Sequence, residues 1–178
     1  STLWLYETTL GRGTKYSRVR TMLFISMFLL LETVGIVVSF AIWLLYLGRH
    51  DSAGYKQAHY TLQWWWADKN FAATKKIFSL ALDFEQVEQG ATGPYLLFVR
   101  HSSVADTLLA SIALSLPYRM AFRYVLKEEL LWDPCLDIVG QRLPNVFLSR
   151  KSENRQQEME AISTLAQGLE GQNSLLIY

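Results

Sequence analysis

The chain has 178 residues, which is enough for one domain with a real core but short for two. Hydrophobic residues make up 51% and aromatic residues 13%, high for a soluble domain and low for a polytopic membrane protein. The net charge of +1 provides no long-range attraction for nucleic acid, so no such partner is expected. Cys135 is the single cysteine, so the chain has no internal disulfide, and we expect this residue to be a small core hydrophobe.

Residues 22–47 form a long apolar stretch with one charge, Glu32. About 20 residues cross a hydrocarbon core, so this stretch is long enough to anchor the chain in a membrane. It is predicted to be either a single tilted span or a re-entrant pair of short helices broken near residues 33–35. A pair would keep both ends on the cytoplasmic side, whereas a span preceded by basic residues would place the globular part across the membrane. The expected location is an inner (cytoplasmic) membrane or an endomembrane, with the side left open.

The predicted division is an anchor region at residues 1–54 and a folded domain at residues 55–178. Residues 55–80 have an amphipathic helical pattern in which three consecutive tryptophans, 64–66, stand near lysines. Such a helix suits the lipid headgroup level, but it equally suits a helix that packs its tryptophans into a core.

Short apolar strand patterns then alternate with helical patterns. We expect strands at 81–89, 95–100, 118–126, 145–149 and 174–178, and helices at 104–115, at 127–132 and between the last two strands. This alternation predicts an α/β domain with a largely parallel, twisted sheet flanked by helices.

Polar residues with catalytic character follow the second of these strands. His101 stands at the strand's carboxyl end, where ligands bind in open α/β sheets, and Asp106 lies five residues further on. A neutral imidazole there can take a proton from an attacking hydroxyl, and the carboxylate can orient the ring. Such a base acts without a protein nucleophile. Ser103 and Asp106 also form a capping box, so Asp106 is alternatively a structural helix cap.

Cations in the following segment could bind a phosphate group. Arg150 comes directly after a predicted strand, and arginine binds phosphate bidentately, so Arg150 is a candidate ligand, with Lys127 as a second. Arg142 and Lys151 are expected to be ordinary solvated side chains. His50 and His59 show no metal-ligand spacing, so no metal site is predicted.

Three blocks together resemble the glycerolipid acyltransferase family that includes the 1-acylglycerol-3-phosphate acyltransferases. His101 and Asp106 match its His-x-x-x-x-Asp block, residues 127–134 (KEELLWDP) match its Lys-x-Glu-Leu…Pro stretch, and Phe147 with Arg150 match its Phe-x-x-Arg block. The resemblance covers roughly residues 80–178. Arg100 stands where many members have Asn, Ser149 where many have Asp, and Asp137 where Gly is common.

The resemblance implies a membrane-bound enzyme of phospholipid synthesis that needs no cofactor. It would move a fatty acyl group from acyl-CoA or acyl-carrier protein to the hydroxyl of a lysophosphatidic-acid-like acceptor. His101 would be the base, Asp106 its support and Arg150 a ligand of the acceptor phosphate. The family has a Glu-Gly-Thr-Arg-like block after a strand resembling 174–178, so we expect the domain to be truncated at Tyr178.

Three other functions remain compatible with the sequence. The same fold could act on an aminolipid or glycolipid acceptor, or the chain could bind membrane lipid without catalysis. A metal-dependent hydrolase that uses His101 and Asp106 is the third.

Overall fold

The computed structural model describes residues 17–81, 92–100, 108–149 and 155–177. Two long helices come first, α1 (Ser17–Leu45) and α2 (Ala53–Phe78). The described strands are β1 (Leu96–Phe98), β2 (Ala121–Lys127), β3 (Val146–Leu148) and β4 (Asn173–Ile177). Between them lie α3 (Leu116–Tyr118) after a π-helical turn (Ser111–Ser115), α4 (Pro134–Ile138) between two 3-10 turns (Glu128–Trp132 and Gly140–Arg142), and α5 (Arg155–Ala166).

The described strands form one parallel sheet in the order β1-β4-β2-β3. This confirms the predicted α/β fold with a parallel sheet, and the last four predicted strands all appear within a few residues of their expected positions. Nearly all of the strand expected at 81–89 lies outside the described residues.

The two faces of the sheet pack against different helices, and alternating side chains along the strands contribute to each face. Val125 and Leu175 are buried on the face that packs against α5 through Leu165. Phe122 and Leu176, both with no exposed surface, lie in a second cluster packed against the π-helical turn and α3. Successive residues of a strand point to opposite faces, so each strand of the middle pair contributes to both layers.

The carboxyl end of α5 is fixed to the sheet by Arg123 on β2. The Arg123 guanidinium donates hydrogen bonds to the carbonyl oxygens of Leu165, Gln167 and Gly168, at 2.8, 3.1 and 3.1 Å. Because the last carbonyls of a helix lack partners within the helix, a cation there both bonds them and complements the helix dipole. Gly168 then ends the helix with a φ of 68°, a left-handed conformation that glycine adopts without strain.

The apolar segment is one unbroken helix, α1. The helix continues through residues 33–35, where the hydroxyl of Thr33 bonds to the carbonyl oxygen of Leu29 at 2.8 Å. Of the two alternatives left open by the sequence, the structure therefore has a single helix and not a re-entrant pair broken near these residues. By length and composition alone, α1 is able to cross a membrane.

Helices α1 and α2 form an antiparallel hairpin. Phe24 at the start of α1 lies 5.7 Å from Phe78 at the end of α2, ring centre to ring centre, while Trp43 near the end of α1 stacks on His50 just before α2. Ser52 caps the start of α2 by accepting a hydrogen bond from the backbone N–H of Tyr55.

The middle tryptophan-rich part of α2 packs into the protein. Trp64 is 6% exposed, and its indole N–H donates to the hydroxyl of Ser115 at 2.8 Å and to the carbonyl oxygen of Met120 at 3.1 Å. The guanidinium of Arg119 lies 5.3 Å from the Trp64 ring centre. For Trp64, the core-packing alternative is thus the correct one.

The α/β domain also touches α1 directly. A Cβ placed on Gly35 would lie 3.0 Å from the Sγ of Cys135 on α4, so glycine permits this close approach. Cys135 is buried, as expected, and burial raises the pKa of its thiol above the usual range. The boundary predicted between residues 54 and 55 stays a prediction.

Candidate active site

The carboxyl ends of the described strands lie at one edge of the sheet because the strands are parallel. Their register places Phe98 of β1, Ile177 of β4, Val125 of β2 and Val146 of β3 in one row across the sheet. Ligand sites of open α/β sheets lie beyond such an edge.

The predicted site residues follow this row at short and similar distances along the chain. His101 comes three residues after Phe98, Lys127 two residues after Val125, and Arg150 four residues after Val146. The connections therefore leave the same edge of the sheet close to the row. His101, Asp106 and Arg150 themselves lie outside the described residues, so their roles stay predictions.

The strands that precede the predicted base and the predicted phosphate ligand are not neighbours in the sheet. His101 follows β1 and Arg150 follows β3, and these are the two outer strands of the described sheet. Three strand spacings of about 4.8 Å make about 14 Å between the outer strands.

Lys127 lies on the inner strand next to β3, with its side chain exposed. As the last residue of β2 it pairs in register with Leu148, two positions before Arg150. Arg100 is also exposed, just after β1, and Ser149 is half-buried after β3. The edge thus has at least two solvent-accessible cations, Lys127 and Arg100.

The segment after Lys127 is held by local hydrogen bonds. Asp133 caps α4: its carboxylate accepts from the backbone N–H groups of Cys135 and Leu136, at 2.9 and 3.2 Å. Pro134 occupies the first turn of the helix, where a missing N–H costs nothing. This geometry gives a structural reason for the Asp-Pro pair within residues 127–134.

Asn145 connects the strands on either side of α4. Its side-chain oxygen accepts from the backbone N–H of Tyr124 at 2.8 Å, and its amide donates to the carbonyl oxygen of Gly140 at 2.7 Å. The Tyr124 hydroxyl in turn bonds the hydroxyl of Ser111 at 2.8 Å. Burial raises the pKa of Tyr124 to about 12, so this phenol stays protonated and structural. Sequence reasoning missed Asn145, although an asparagine directly before a strand is a recognisable turn signal.

Arg142 was expected to be a solvated side chain, and this expectation is wrong. Its guanidinium donates to Ser39 of α1, at 2.7 Å to the carbonyl oxygen and 2.6 Å to the hydroxyl oxygen. The cation therefore bonds the α/β domain to the apolar helix, so its role is structural.

Comparisons with known proteins agree with the motif pattern. A family model described as Acyltransferase matches residues 81–178, just over half of the chain, and this range contains every predicted site residue. No curated protein and no solved structure matches the chain. The family match confirms the resemblance carried by the three sequence blocks. The chain belongs to the acyltransferase family, and its residues 81–178 form a domain of the glycerolipid acyltransferase type.

Proposed function

We propose that the protein transfers a fatty acyl group from acyl-CoA or acyl-carrier protein to the hydroxyl of a lysophosphatidic-acid-like acceptor at a membrane. The family match over residues 81–178 carries this proposal. It is supported by the parallel sheet, since the chain segments that contain His101, Lys127 and Arg150 all leave one edge.

The proposed reaction is a direct transfer in one active site. The imidazole of His101 takes the proton from the acceptor hydroxyl as the oxygen attacks the thioester carbonyl carbon. The new ester C–O bond forms, the C–S bond breaks, and the leaving thiolate receives the proton from the imidazolium. Asp106 orients the ring and stabilises its charged form.

The acceptor phosphate would be bound by Arg150 with help from Lys127. A guanidinium offers two parallel N–H donors to phosphate, whereas an ammonium acts as a point charge. Lys127 lies at the end of the strand adjacent to β3, so a phosphate beyond β3 is within one strand spacing of it.

The apolar helix α1 would hold the enzyme at the lipid surface. One stripe of α1 is buried, and the remaining surface exposes large apolar side chains, among them Met22, Leu29, Leu30, Val37, Phe40 and Leu45. Burying apolar area in lipid is favourable at about 25 cal/mol per Å².

We place α1 along the membrane surface rather than across it. Its partner α2 runs antiparallel beside it and carries one charged residue near its start and four in its second half: Lys56, Asp68, Lys69, Lys75 and Lys76. The middle of α1 is bonded to Arg142 of the α/β domain. Neither arrangement suits the centre of a bilayer, where charged side chains are costly.

The test is free-thiol release from palmitoyl-CoA in lipid micelles, with and without 1-oleoylglycerol 3-phosphate. We expect release that requires the acceptor and is lost in His101→Ala. His50→Gln is the matched control, because it changes a histidine in the loop between α1 and α2. The product is identified by mass spectrometry as phosphatidic acid.

Retained acceptor-dependent release in His101→Ala would contradict the proposed base. If the parent protein releases no thiol, acyl-carrier protein donors and aminolipid or glycolipid acceptors are tested next. Failure of all of these, with lipid binding retained, would make the protein a non-catalytic member of the family.

A further inference from the structure

A groove runs along the seam between α1 and α2. It has a volume of about 460 Å³, within the range of small-molecule sites, and is lined by Val38, Ile42, Ala58, Thr61, Leu62 and Trp65. We infer that this groove binds one hydrocarbon chain of a membrane phospholipid. The inference goes beyond the acyl-transfer site and rests on the membrane placement proposed above for α1.

The lining residues repeat at helical spacing. Ala58, Leu62 and Trp65 are four and three residues apart on one face of α2, and Val38 and Ile42 are one turn apart on α1. The groove is therefore elongated along the helix axes, which suits a chain rather than a compact ligand.

The chemistry of the lining selects an apolar occupant. All six lining residues are uncharged, and the hydroxyl of Thr61 already donates its proton to the carbonyl oxygen of Gln57 at 2.9 Å. Apolar cavities offer water too few hydrogen bonds and instead accept apolar ligands.

The surroundings indicate that the occupant comes from the bilayer. Val38 lines the groove and is 38% exposed, and it adjoins Val37 and Phe40 on the exposed apolar surface of α1. A lipid chain that covers this surface reaches the groove without crossing a polar region.

The two ends of the groove differ in chemistry. Lys69 lies one turn beyond Trp65 and is half exposed, so it is a cation at one end. Its ion pair with Asp68 is similarly exposed and therefore weak, which leaves the ammonium accessible to a phosphate. At the other end Tyr46 lies against Gly54, where an added Cβ would come within 3.1 Å of its hydroxyl oxygen.

The groove is long enough for part of a lipid chain. Its lining on α2 runs from Ala58 to Trp65, seven residues or about 10 Å at 1.5 Å per residue, and Lys69 lies one turn further on. Because α1 is placed along the membrane surface, a chain in this groove would lie parallel to that surface. The phosphate would lie at Lys69 and the end of the chain near Ala58.

The experiment uses the full chain on phosphatidylcholine vesicles that contain a phospholipid with a photoactivatable diazirine in one acyl chain. After irradiation, labelled peptides are mapped by mass spectrometry. We expect adducts on α2 at Thr61 and Trp65, together with adducts on exposed α1 residues such as Leu29 and Leu30. Ala58→Phe, which fills the groove, should abolish the α2 adducts and leave those on α1.

Two further variants keep the test decisive. Thr61→Trp blocks the exposed mouth without altering a buried residue, and it should abolish labelling of Trp65. Ala72→Phe adds the same bulk at an exposed position of α2 outside the lining, and it should change nothing.

Labelling confined to α1 would contradict lipid binding in the groove but would still support the proposed placement of α1 at the membrane. Labelling of neither helix would overturn both. Since the readout does not require turnover, α2 labelling in a protein that releases no thiol would support the groove and contradict only the proposed reaction.

Discussion

Arg142 of the α/β domain donates two hydrogen bonds to Ser39 in the apolar helix α1. The hydroxyl oxygen of Ser39 also lies 3.1 Å from Nε2 of His59, and Nδ1 of His59 lies 3.0 Å from the carbonyl oxygen of Tyr55. The Tyr55 carbonyl oxygen only accepts, so Nδ1 of His59 carries a proton, and burial lowers the pKa of His59, which favours the neutral ring. Nε2 of the neutral ring then accepts the proton of the Ser39 hydroxyl, whose oxygen accepts from Arg142. Ser39 and His59 have no exposed surface. The apolar helix α1 is thus joined to the predicted catalytic domain by a satisfied hydrogen-bond network around the buried Ser39 and His59.

Arg142→Met should destabilise the protein and loosen the contact between α1 and the domain. The substitution removes charge-assisted hydrogen bonds from a buried hydroxyl, a loss of about 2–3 kcal/mol in the free energy of unfolding. Urea unfolding in detergent measures it. Gln141→Met is the matched control, because the neighbouring Gln141 is exposed and bonds only Asp137 locally among the described residues. Equal midpoints for the two variants would contradict the structural role of Arg142.

The parallel sheet was predictable from the sequence because strand patterns are local. Each strand pattern, such as that at residues 118–126, is short and largely apolar and is followed by a helix signal, and that alternation favours a largely parallel sheet. The placement of His101 and Arg150 after strands came from the same local pattern. The strand pattern alone does not show which residues these side chains contact. Their expected roles as base and phosphate ligand came from the motifs of the acyltransferase family.

The contacts of the helix hairpin were not predictable because they join distant residues. Arg142 and Ser39 are 103 residues apart, and no periodicity relates them. The sequence pattern fitted Trp64 equally well to the lipid headgroup level and to the protein core. The structure places it in the core, where its indole N–H donates to the Ser115 hydroxyl and to the Met120 carbonyl oxygen. The sequence left open whether the apolar segment is one helix or a pair broken near residues 33–35. The structure has a regular helix there, in which Gly35 lies against Cys135 of the distant helix α4.

His59 should make stability depend on pH below neutrality. Burial lowers the pKa of His59 from its ordinary value of 6.5, and the Arg142 cation lowers it further, against an opposing hydrogen bond to Tyr55. Below pH 6.5 the unfolded chain binds a proton that the folded chain does not, so stability is full above 6.5 and falls as the pH decreases. The slope is at most about 1.4 kcal/mol per pH unit.

Urea midpoints at pH 7.5, 6.5 and 5.5 test this dependence. His59→Gln should flatten the decrease below pH 6.5, since the amide keeps a donor and an acceptor but does not titrate. His50→Gln is the control and should leave the slope of the parent. A slope unchanged in His59→Gln would assign the pH dependence to other groups.

Asp106→Asn separates the two interpretations of that residue. As the support of His101, Asp106 stabilises the imidazolium, and its loss should lower kcat about 100- to 10,000-fold with little effect on KM. As a helix cap, it would contribute about 1 kcal/mol of stability and leave kcat unchanged. Thiol release and thermal unfolding of the same samples distinguish them. Ser103→Ala is the control, since it removes the other half of the capping box without touching the predicted acid–base pair.

Arg150→Ala should weaken binding of the acceptor through its phosphate. Loss of bonds to a charged group costs about 1.5–3 kcal/mol, which raises KM for 1-oleoylglycerol 3-phosphate about tenfold to a hundredfold. Lys127→Ala should have a smaller effect in the same direction, because its ammonium is an exposed point charge. Arg155→Ala, at the exposed start of α5, is the control. With 1-oleoylglycerol, which lacks phosphate, Arg150→Ala and the parent should have equal KM values. An equal rise with both acceptors would mean that Arg150 supports the fold of the site rather than the phosphate.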